Sequence, residues 1–140
     1  MDTPIGRLGV VVKQERVCEV RFGEHSLDDD TVTQQLREYF AGQRREFDLP
    51  LDLSGVTPFR AEVLRELSKV PYGETTTYAE LARAVGNPKA VRAVGSACAT
   101  NPLPILIPCH RVLRADGSLG GYRGGEAAKR FLLRLEGIDV

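Results

Sequence analysis

Two short helix signals separated by a single glycine constrain this chain more than any other feature of its sequence. Residues 77–80 read Thr-Tyr-Ala-Glu, the form of a capping box, and apolar residues follow at helical spacing until Gly86. Asn87 and Pro88 come at once and predict the start of a second helix with the sequence PKAVRAVGSACA. Two short helices joined by so tight a turn predict a helix-turn-helix.

The second helix of this pair is predicted to expose small residues with little charge. Arg92 is its only side chain suited to a bidentate base contact, whereas a helix that reads bases in the major groove usually carries several. The pattern indicates close approach to a partner without sequence readout, and it is equally compatible with two helices that merely pack together. The spacing assigns Val91, Val94 and Cys98 to one face and Lys89, Arg92 and Ser96 to the other.

The remaining signals divide the chain near residue 54. Before this point, LGVVV and RVCEVRF predict a β-hairpin, TVTQQLREYFAG an amphipathic helix, and EFDLPLDL a strand that Pro50 confines to a sheet edge. After it, one helix is predicted from Thr57-Pro58 to the stop at Pro71-Tyr72-Gly73, and EAAKRFLLRLE predicts the last helix. We therefore expect an α/β (α+β) chain with a small antiparallel sheet lobe, residues 1–54, and a helical lobe containing the helix-turn-helix, residues 55–140.

Composition excludes several other classes of protein. With 140 residues and 42% hydrophobic content, the chain can bury one core or two small lobes that share an interface. No segment approaches the roughly 20 apolar residues of a membrane-spanning helix, and the N-terminus lacks a signal pattern. Three cysteines without close pairing predict free thiols in a reducing compartment, the cytoplasm or, in a eukaryote, the nucleus. Cys18 and His25 match no standard zinc spacing, so we expect no metal.

The charges are unevenly distributed although the net charge is zero. Acidic residues predominate over residues 1–55, and basic residues predominate over residues 56–140. The second lobe is therefore the better candidate for contact with a polyanion.

The segment ILIPCHRVL, residues 105–113, places a thiol beside an imidazole. An apolar run that ends at Cys109 indicates a nucleophile at the floor of a buried pocket. Neighbouring side chains of an extended chain point to opposite sides, so His110 is not expected to take a proton directly from Cys109. If the two cooperate, a third group must bridge them.

Glu136 is the informative residue of the last helix. A carboxylate in the last turn opposes the helix dipole, and Gly137 follows as a predicted C-cap. Leu132 and Leu133, at the facing positions, offer no basic partner. We expect the carboxylate to bind His110, fix its tautomer and leave the other ring nitrogen free as a base; the alternative is a solvated carboxylate at a frayed helix end.

These residues resemble the active-site region of the O6-alkylguanine-DNA alkyltransferases. PCHRV is the signature of that family, and it lies here in the run GETTTYAELARAVGNPKAVRAVGSACATNPLPILIPCHRV, followed by GGYRGG and a terminal LEG. The resemblance is strong over residues 56–138. Residues 3–53 resemble the ribonuclease-H-like N-terminal lobe of the family loosely and are shorter. The second lobe is expected to be winged-helix-like.

The resemblance implies a role for each of these residues. Cys109 is the acceptor nucleophile, activated through a bridging water by His110, which Glu136 orients; the array is expected to lower the thiol pKa. Tyr78 and Lys129 are implied at the departing purine. The implied lining of the substrate pocket is Pro104, Val112, Tyr122 and Arg123, with the backbone amide of Arg123 near the oxygen.

The resemblance also implies that the partner is duplex DNA containing alkylated bases. A monomer is expected to bind it in the minor groove with little sequence specificity, and no cofactor is implied. The target base is extruded from the helix, and Arg92 fills the vacated stack. Asn101 ties the helix-turn-helix to a strand that carries the active site. The residues expected at the DNA are Arg92, Lys89, Ser96, Asn101 and Arg111.

Other functions are distinguished by particular residues. Arg123 stands where some relatives carry a small hydroxyl residue, and Leu64 where many bacterial members carry tryptophan, which leaves the range of alkyl groups open. A branch of the family that lacks the cysteine only binds lesions, and the presence of Cys109 argues against that branch. A cysteine hydrolase would bring its cysteine and histidine together from distant segments. A transcription regulator would use the same helix-turn-helix, but it would normally dimerise and carry a richer recognition helix.

Overall fold

The computed structural model describes residues 1–23 and 30–140. Its first lobe contains β1 (Asp2–Thr3), β2 (Gly6–Lys13) and β3 (Arg16–Phe22) in one antiparallel sheet of order β1-β2-β3, followed by α1 (Asp30–Phe40). Gln14 and Glu15 join β2 to β3, and both have positive φ, as a two-residue type I′ turn requires. The predicted hairpin and first helix are confirmed; His25 lies outside the described residues.

The strand predicted for EFDLPLDL is wrong. Only Leu51 forms a bridge, parallel to Val17 of β3, through the hydrogen bonds from the Val17 amide to the Pro50 carbonyl and from the Asp52 amide to the Val17 carbonyl. The side chain of Gln35 binds both backbone groups of Asp48, at 2.9 and 3.0 Å, so that residue has no groups left for a ladder. The segment covers the edge of β3 without extending the sheet.

The second lobe is built mainly of helices. Its elements are α2 (Pro58–Leu67), β4 (Thr76–Thr77), α3 (Tyr78–Ala84), α4 (Val91–Ala99), a 3₁₀ turn (Cys109–Arg111), β5 (Val112–Leu113) and α5 (Glu126–Leu135). The two short strands β4 and β5 pair in parallel and place the start of α3 beside the residues that follow the 3₁₀ turn. Helices α2, α3 and α5 confirm the predicted helices.

Half of the predicted capping box is present at the start of α3. The Thr77 hydroxyl accepts a hydrogen bond from the Glu80 amide at 3.1 Å. The Glu80 carboxylate accepts from the Thr76 hydroxyl instead of from the Thr77 amide. The cap therefore fixes where α3 begins, and the acidic residue ties it to β4.

Helix α4 begins at Val91, three residues later than predicted. Residues 88–90 form a turn, in which the Ala90 amide donates to the Asn87 carbonyl at 3.0 Å. Lys89 consequently precedes the helix, and Val91 is exposed rather than inward. The buried face of α4 consists of Val94, Ala97 and Cys98.

Both lobes contribute to one hydrophobic core. Leu8 and Leu36 of the first lobe belong to the same buried cluster as Leu67 and Leu132 of the second. The architecture confirms the predicted fold class, a mixed α/β chain with a small antiparallel sheet lobe and a helical lobe. The boundary near residue 54 remains a proposal. Within the described residues, no helix is long and apolar enough to cross a membrane.

Candidate functional site

A 3₁₀ turn, not a strand, carries the cysteine and the histidine. Cys109–Arg111 form one turn of this helix after a buried irregular segment. Successive residues of such a turn are rotated by about 120°, so Cys109 and His110 point in different directions. The predicted active-site strand is wrong, because Asn101 binds the Ile107 carbonyl and the Leu103 amide, both at 2.9 Å, and curls the segment.

Asn101 is only 2% exposed, so its predicted contact with DNA is wrong as well. Both ends of its amide are occupied by backbone groups, as the previous distances show. It acts on the site by shaping the segment that leads to the thiol.

Cys109 faces a cavity of about 410 Å³, a size usual for small-ligand sites. Gly95 and Ala99 of α4 form one wall, where larger side chains would fill the space. The lining is completed by residues from α3 and from the loop before α5. Its members are Tyr78, Gly95, Cys98, Ala99, Cys109, Gly121, Tyr122 and Arg123.

Burial raises the pKa of the Cys109 thiol, contrary to the lowered pKa that the sequence predicted. The Asn101 side chain and the charges of Lys129 and Arg123 lower this pKa, but they do not outweigh burial. The resting thiol is therefore protonated at neutral pH, and its reaction needs a base.

Behind the thiol, His110 is fully buried and binds Glu136. The distance from His110 Nε2 to Glu136 Oε2 is 2.7 Å. Burial opposes ionisation of Glu136, but hydrogen bonds from His110, Arg111 and Tyr39 lower its pKa to about 2. The carboxylate is therefore ionised and can only accept a hydrogen bond, so Nε2 of His110 must carry the proton. Burial lowers the pKa of His110, which keeps the ring neutral and leaves Nδ1 unprotonated.

Nδ1 of His110 is buried and has no hydrogen-bond partner among the described residues. A nitrogen in this state is a free acceptor, the property that a general base requires. The expected pairing of Glu136 with His110 is present in the geometry, and the solvated helix-end alternative is not. Glu136 itself is the C-cap of α5, one residue before the predicted cap Gly137, which follows at φ 90°.

Arg111 lies in the interior and not at a DNA surface, so the prediction that it binds DNA is wrong. Its Nε donates to Glu136 Oε1 at 2.8 Å, and one terminal nitrogen donates to Oε2 at 3.0 Å. The other terminal nitrogen donates to the Val70 carbonyl at 2.7 Å. A buried guanidinium must be paired in this way, and here the pair fixes the carboxylate that holds His110.

Lys129 is fully buried, and its ammonium group donates to the carbonyls of Val112, Leu119 and Gly121. An ammonium has three protons, and these carbonyls take all of them. The prediction that Lys129 reaches the departing purine is therefore wrong. Burial lowers the pKa of Lys129 to about 8. Its role is to hold the segment between β5 and the cavity loop in place.

Two residues predicted in the pocket are not part of its wall. Val112 is fully buried and contributes its carbonyl to Lys129. Pro104 is buried and forms a bridge with Ile107. Tyr122 and Arg123, by contrast, line the cavity, and so does Tyr78. Their contact with a substrate remains a prediction.

The GGYRGG loop is packed against both lobes. Phe22 of β3 and Tyr122 stack edge to face, with ring centroids 5.8 Å apart. A Cβ on Gly124 would lie 2.7 Å from the Phe22 ring, so the loop requires a glycine at that point. The first lobe thus supports one wall of the cavity.

Tyr39 of α1 was not predicted as a site residue, because the sequence of the first lobe shows no recognisable group of catalytic side chains. Its hydroxyl donates to Glu136 Oε2 at 2.6 Å, and the residue is fully buried. The Gly73 amide also donates to Glu136, at 3.3 Å from Oε1. A signal was available: Val32, Leu36 and Tyr39 share one helical face, and a buried tyrosine hydroxyl usually has a partner.

The residues expected at the DNA divide into two groups. Asn101 and Arg111 are buried, as described above. Arg92 and Ser96 are exposed on α4, and Lys89 is exposed in the turn before it. No cluster of three or more metal-ligating side chains occurs in the part of the chain that the structure describes.

The fold and the site together define a class of protein in which a buried cysteine faces a cavity beside a helix-turn-helix. A paired histidine and glutamate lie behind that cysteine. Residues 58–138 match the family model described as "6-O-methylguanine DNA methyltransferase, DNA binding domain". The description of its ribonuclease-like domain matches residues 1–53. The chain belongs to the 6-O-methylguanine DNA methyltransferase family, which confirms the resemblance seen in the sequence.

Two relatives match over nearly the whole chain, and a third matches over a little more than half of it. A constitutive methylated-DNA–protein-cysteine methyltransferase of Bacillus subtilis is 42% identical over 99% of this chain and 93% of its own length. The crystal structure of Mycobacterium tuberculosis OGT in complex with DNA has a TM-score of 0.90 and 43% identity, covering 97% of this chain and 89% of that one. Schizosaccharomyces pombe Atl1, in complex with damaged DNA containing O6-carboxymethylguanine, has a TM-score of 0.52 and 33% identity over 58% of this chain and 77% of that one.

Proposed function

We propose that this chain repairs DNA by direct reversal, transferring the alkyl group of O6-alkylguanine to its own Cys109. The observation that carries the proposal is the arrangement of Cys109, which faces the cavity while the His110–Glu136 pair lies behind it. Membership of the family and the DNA-bound structure of a relative support the substrate. The same transfer assay with duplex DNA that carries a labelled O4-alkylthymine tests whether this base is also a substrate.

The proposed chemistry begins with the proton of the thiol. Nδ1 of His110 takes it through a bridging water, and Glu136 stabilises the resulting imidazolium. The Cys109 thiolate then attacks the alkyl carbon; the C–S bond forms, the bond from that carbon to O6 breaks, and the electron pair leaves with guanine.

Tyr78 is proposed to meet the charge that develops on the departing purine. It lines the cavity, and burial followed by the nearby thiols raises the pKa of its hydroxyl. The group therefore stays protonated and can donate a hydrogen bond as negative charge appears. The backbone amide of Arg123, on the opposite loop, is proposed as a second donor.

Helix α4 is proposed to enter the minor groove with its small exposed face. Ala93, Ser96 and Ala99 are exposed, and Arg92 is the only charged residue of the helix. Extrusion would place the alkylated base in the cavity, and Arg92 would fill the gap in the stack. Lys89 and Ser96 are proposed to contact the sugar-phosphate backbone of the DNA.

One protein molecule is expected to repair one lesion. A thioether is not hydrolysed by water, and the proposed reaction contains no step that regenerates the thiol. Duplex DNA carrying a labelled O6-alkyl group should be titrated with the protein, and the alkylated peptide identified by mass mapping. We expect a one-to-one endpoint with the label on Cys109; removal of many alkyl groups per molecule would contradict the proposal.

Lesion binding without transfer is the alternative function. The similarity to Atl1 makes it a relevant comparison, although that similarity covers little more than half of this chain. The Cys109 thiol and its base favour transfer. The same titration separates the two, because a binding protein would retain the lesion unchanged.

Arg92→Ala is expected to slow the repair of duplex DNA by roughly 10- to 100-fold, because unstacking a base costs a few kcal/mol and the finger would no longer offset it. The reaction with free O6-benzylguanine should be almost unchanged, since a free base is not stacked. Single-turnover rates on the two substrates provide the measurement. Equal losses on both would remove Arg92 from this role.

Arg83→Ala provides a matched control for Arg92. Arg83 is exposed on the neighbouring helix α3, so its loss removes the same charge from the same lobe. We expect weaker binding of alkylated and plain duplex alike, with little change in rate at saturating DNA.

The proposed compartment follows from the cysteines. All three are free thiols in the structure, and a nucleophilic thiol must stay reduced to act. We therefore propose that the protein acts in the cytoplasm or, in a eukaryote, in the nucleus. We also propose that it acts as a monomer, as its resemblance to the family implies. Sedimentation with and without duplex DNA would test the oligomeric state.

A further inference from the structure

The Glu136 carboxylate receives hydrogen bonds from separate parts of the chain. Oε2 accepts from Tyr39 at 2.6 Å, and the same oxygen accepts from His110 at 2.7 Å. Arg111 donates to both oxygens, and the Gly73 amide approaches Oε1. Tyr39 is the contribution of the first lobe, and it lies 97 residues from Glu136 in the sequence.

Tyr39 is held rigidly in this position. Its ring packs edge to face against Tyr72, with centroids 6.2 Å apart, and lies 5.4 Å from the ring of Phe47. Burial, together with the charge of Glu136, raises the pKa of Tyr39, so its hydroxyl remains a proton donor. A fixed neutral donor of this kind sets the direction of the acceptor that it binds.

Glu136 needs such a restraint because it lies at the C-cap of α5, beyond the last regular turn. Arg111 alone would align the carboxylate with its own guanidinium fork. The base requires something more specific, namely one oxygen in line with Nε2 of His110. Tyr39 binds that oxygen from the first lobe and thereby fixes the rotation of the carboxyl group.

We propose that Tyr39 is a positioning residue for the reaction, and that the first lobe thus takes part in activating the thiol. The proposal rests on the proposed function, since it assigns Tyr39 to the base that serves Cys109. Through Glu136, Tyr39 keeps His110 in the tautomer whose Nδ1 is free. The lobe supplies no reacting group, yet the base is incomplete without its hydroxyl.

Tyr39→Phe in the full chain tests this assignment, because it removes one oxygen and keeps the ring. At neutral pH, the rate with free O6-benzylguanine should fall by about 10- to 100-fold, the range for a displaced catalytic group. The deficit should shrink as the pH rises toward the raised pKa of the Cys109 thiol, because the thiol then ionises without the base. The charged and titratable groups that face this site are His110 and Arg111 at Glu136, and Lys129 and Arg123 near Cys109.

Tyr72→Phe is the matched control. Tyr72 lies in the same aromatic cluster, and its hydroxyl binds the Leu135 carbonyl at 3.2 Å, one residue before Glu136. It does not bind the carboxylate, so this variant should follow the wild-type pH profile. A Tyr39→Phe profile equal to that of the wild type, a faster reaction, or a loss that is constant with pH and shared by Tyr72→Phe would each overturn the proposal.

The tautomer of His110 gives a second readout that does not depend on the rate. The chain has two histidines, so the ¹⁵N ring signals can be assigned by substituting the other one, His25. We expect a single Nε2–H tautomer in the wild type and a mixture in Tyr39→Phe; an unchanged tautomer would overturn the proposal. Absence of transfer by the wild type would instead contradict the proposed function itself.

Discussion

Cys109→Ser is expected to abolish alkyl transfer while keeping the affinity for alkylated duplex DNA close to that of the wild type. A hydroxyl fills nearly the same space, but it ionises far less readily than a thiol, so the nucleophile is lost while the binding face of α4 is kept. The loss should be on the order of 10⁶-fold, the scale seen when an enzyme loses its nucleophile. Label transfer and a gel shift measure the two properties separately.

The other two cysteines make this prediction specific. Cys18→Ser is the matched control, because Cys18 lies in β3 and does not line the cavity, and we expect its transfer rate to be that of the wild type. Cys98 lines the same cavity as Cys109, and burial raises the pKa of its thiol to about 12. Recovery of the alkyl label on Cys98 would overturn the assignment of the acceptor.

Glu136→Gln is expected to have the second largest effect. The amide keeps the shape but removes the charge that stabilises the imidazolium of His110, so the rate with free O6-benzylguanine should fall by roughly 10²- to 10⁴-fold at neutral pH. Duplex repair should fall by the same factor, unlike the selective loss in Arg92→Ala. The rate should partly recover as the pH rises, because the pKa of the thiol is then approached and hydroxide replaces the base.

The same substitution should lower stability, because Arg111 would be left buried without its carboxylate. Loss of one partner of a buried ion pair typically costs about 3–5 kcal/mol, so rates must be expressed per folded molecule after thermal unfolding. Glu126→Gln is the control, since Glu126 lies at the exposed start of the same helix. An unchanged pH profile in Glu136→Gln would show that its carboxylate does not serve His110.

Local signals were sufficient to predict most of the fold. The hairpin, α1, α2, α3 and α5 each carry a turn, a cap or a periodic apolar face within their own residues. The strand predicted over residues 46–53 was wrong because its alternation was genuine but Gln35, from another element, occupies the backbone of Asp48. The start of α4 was misplaced because Pro88 fits a turn as well as a first helical position.

The centre of the site was predictable for a different reason. Glu136 conflicted with the dipole of its own helix, and that conflict pointed to a partner elsewhere. Arg111 and Lys129 gave no such sign, because a charged side chain is solvated in most proteins and only tertiary packing reveals that it is buried. Tyr39 was recognisable as an inward residue, but a contact across 97 positions follows from the assembly of the two lobes.

The single 3₁₀ turn at residues 109–111 makes the length of this motif as restrictive as its composition. Each residue of such a turn leaves the axis about 120° from the last, so thiol, imidazole and guanidinium are directed to the cavity, the core and the Val70 carbonyl in succession. Deletion of one residue would turn the following side chains by a third of a revolution and set the guanidinium of Arg111 where the base belongs, and an insertion would move the imidazole away from that place. Changes of length are compatible with the fold only outside this turn, as in the exposed bend at Asp116-Gly117.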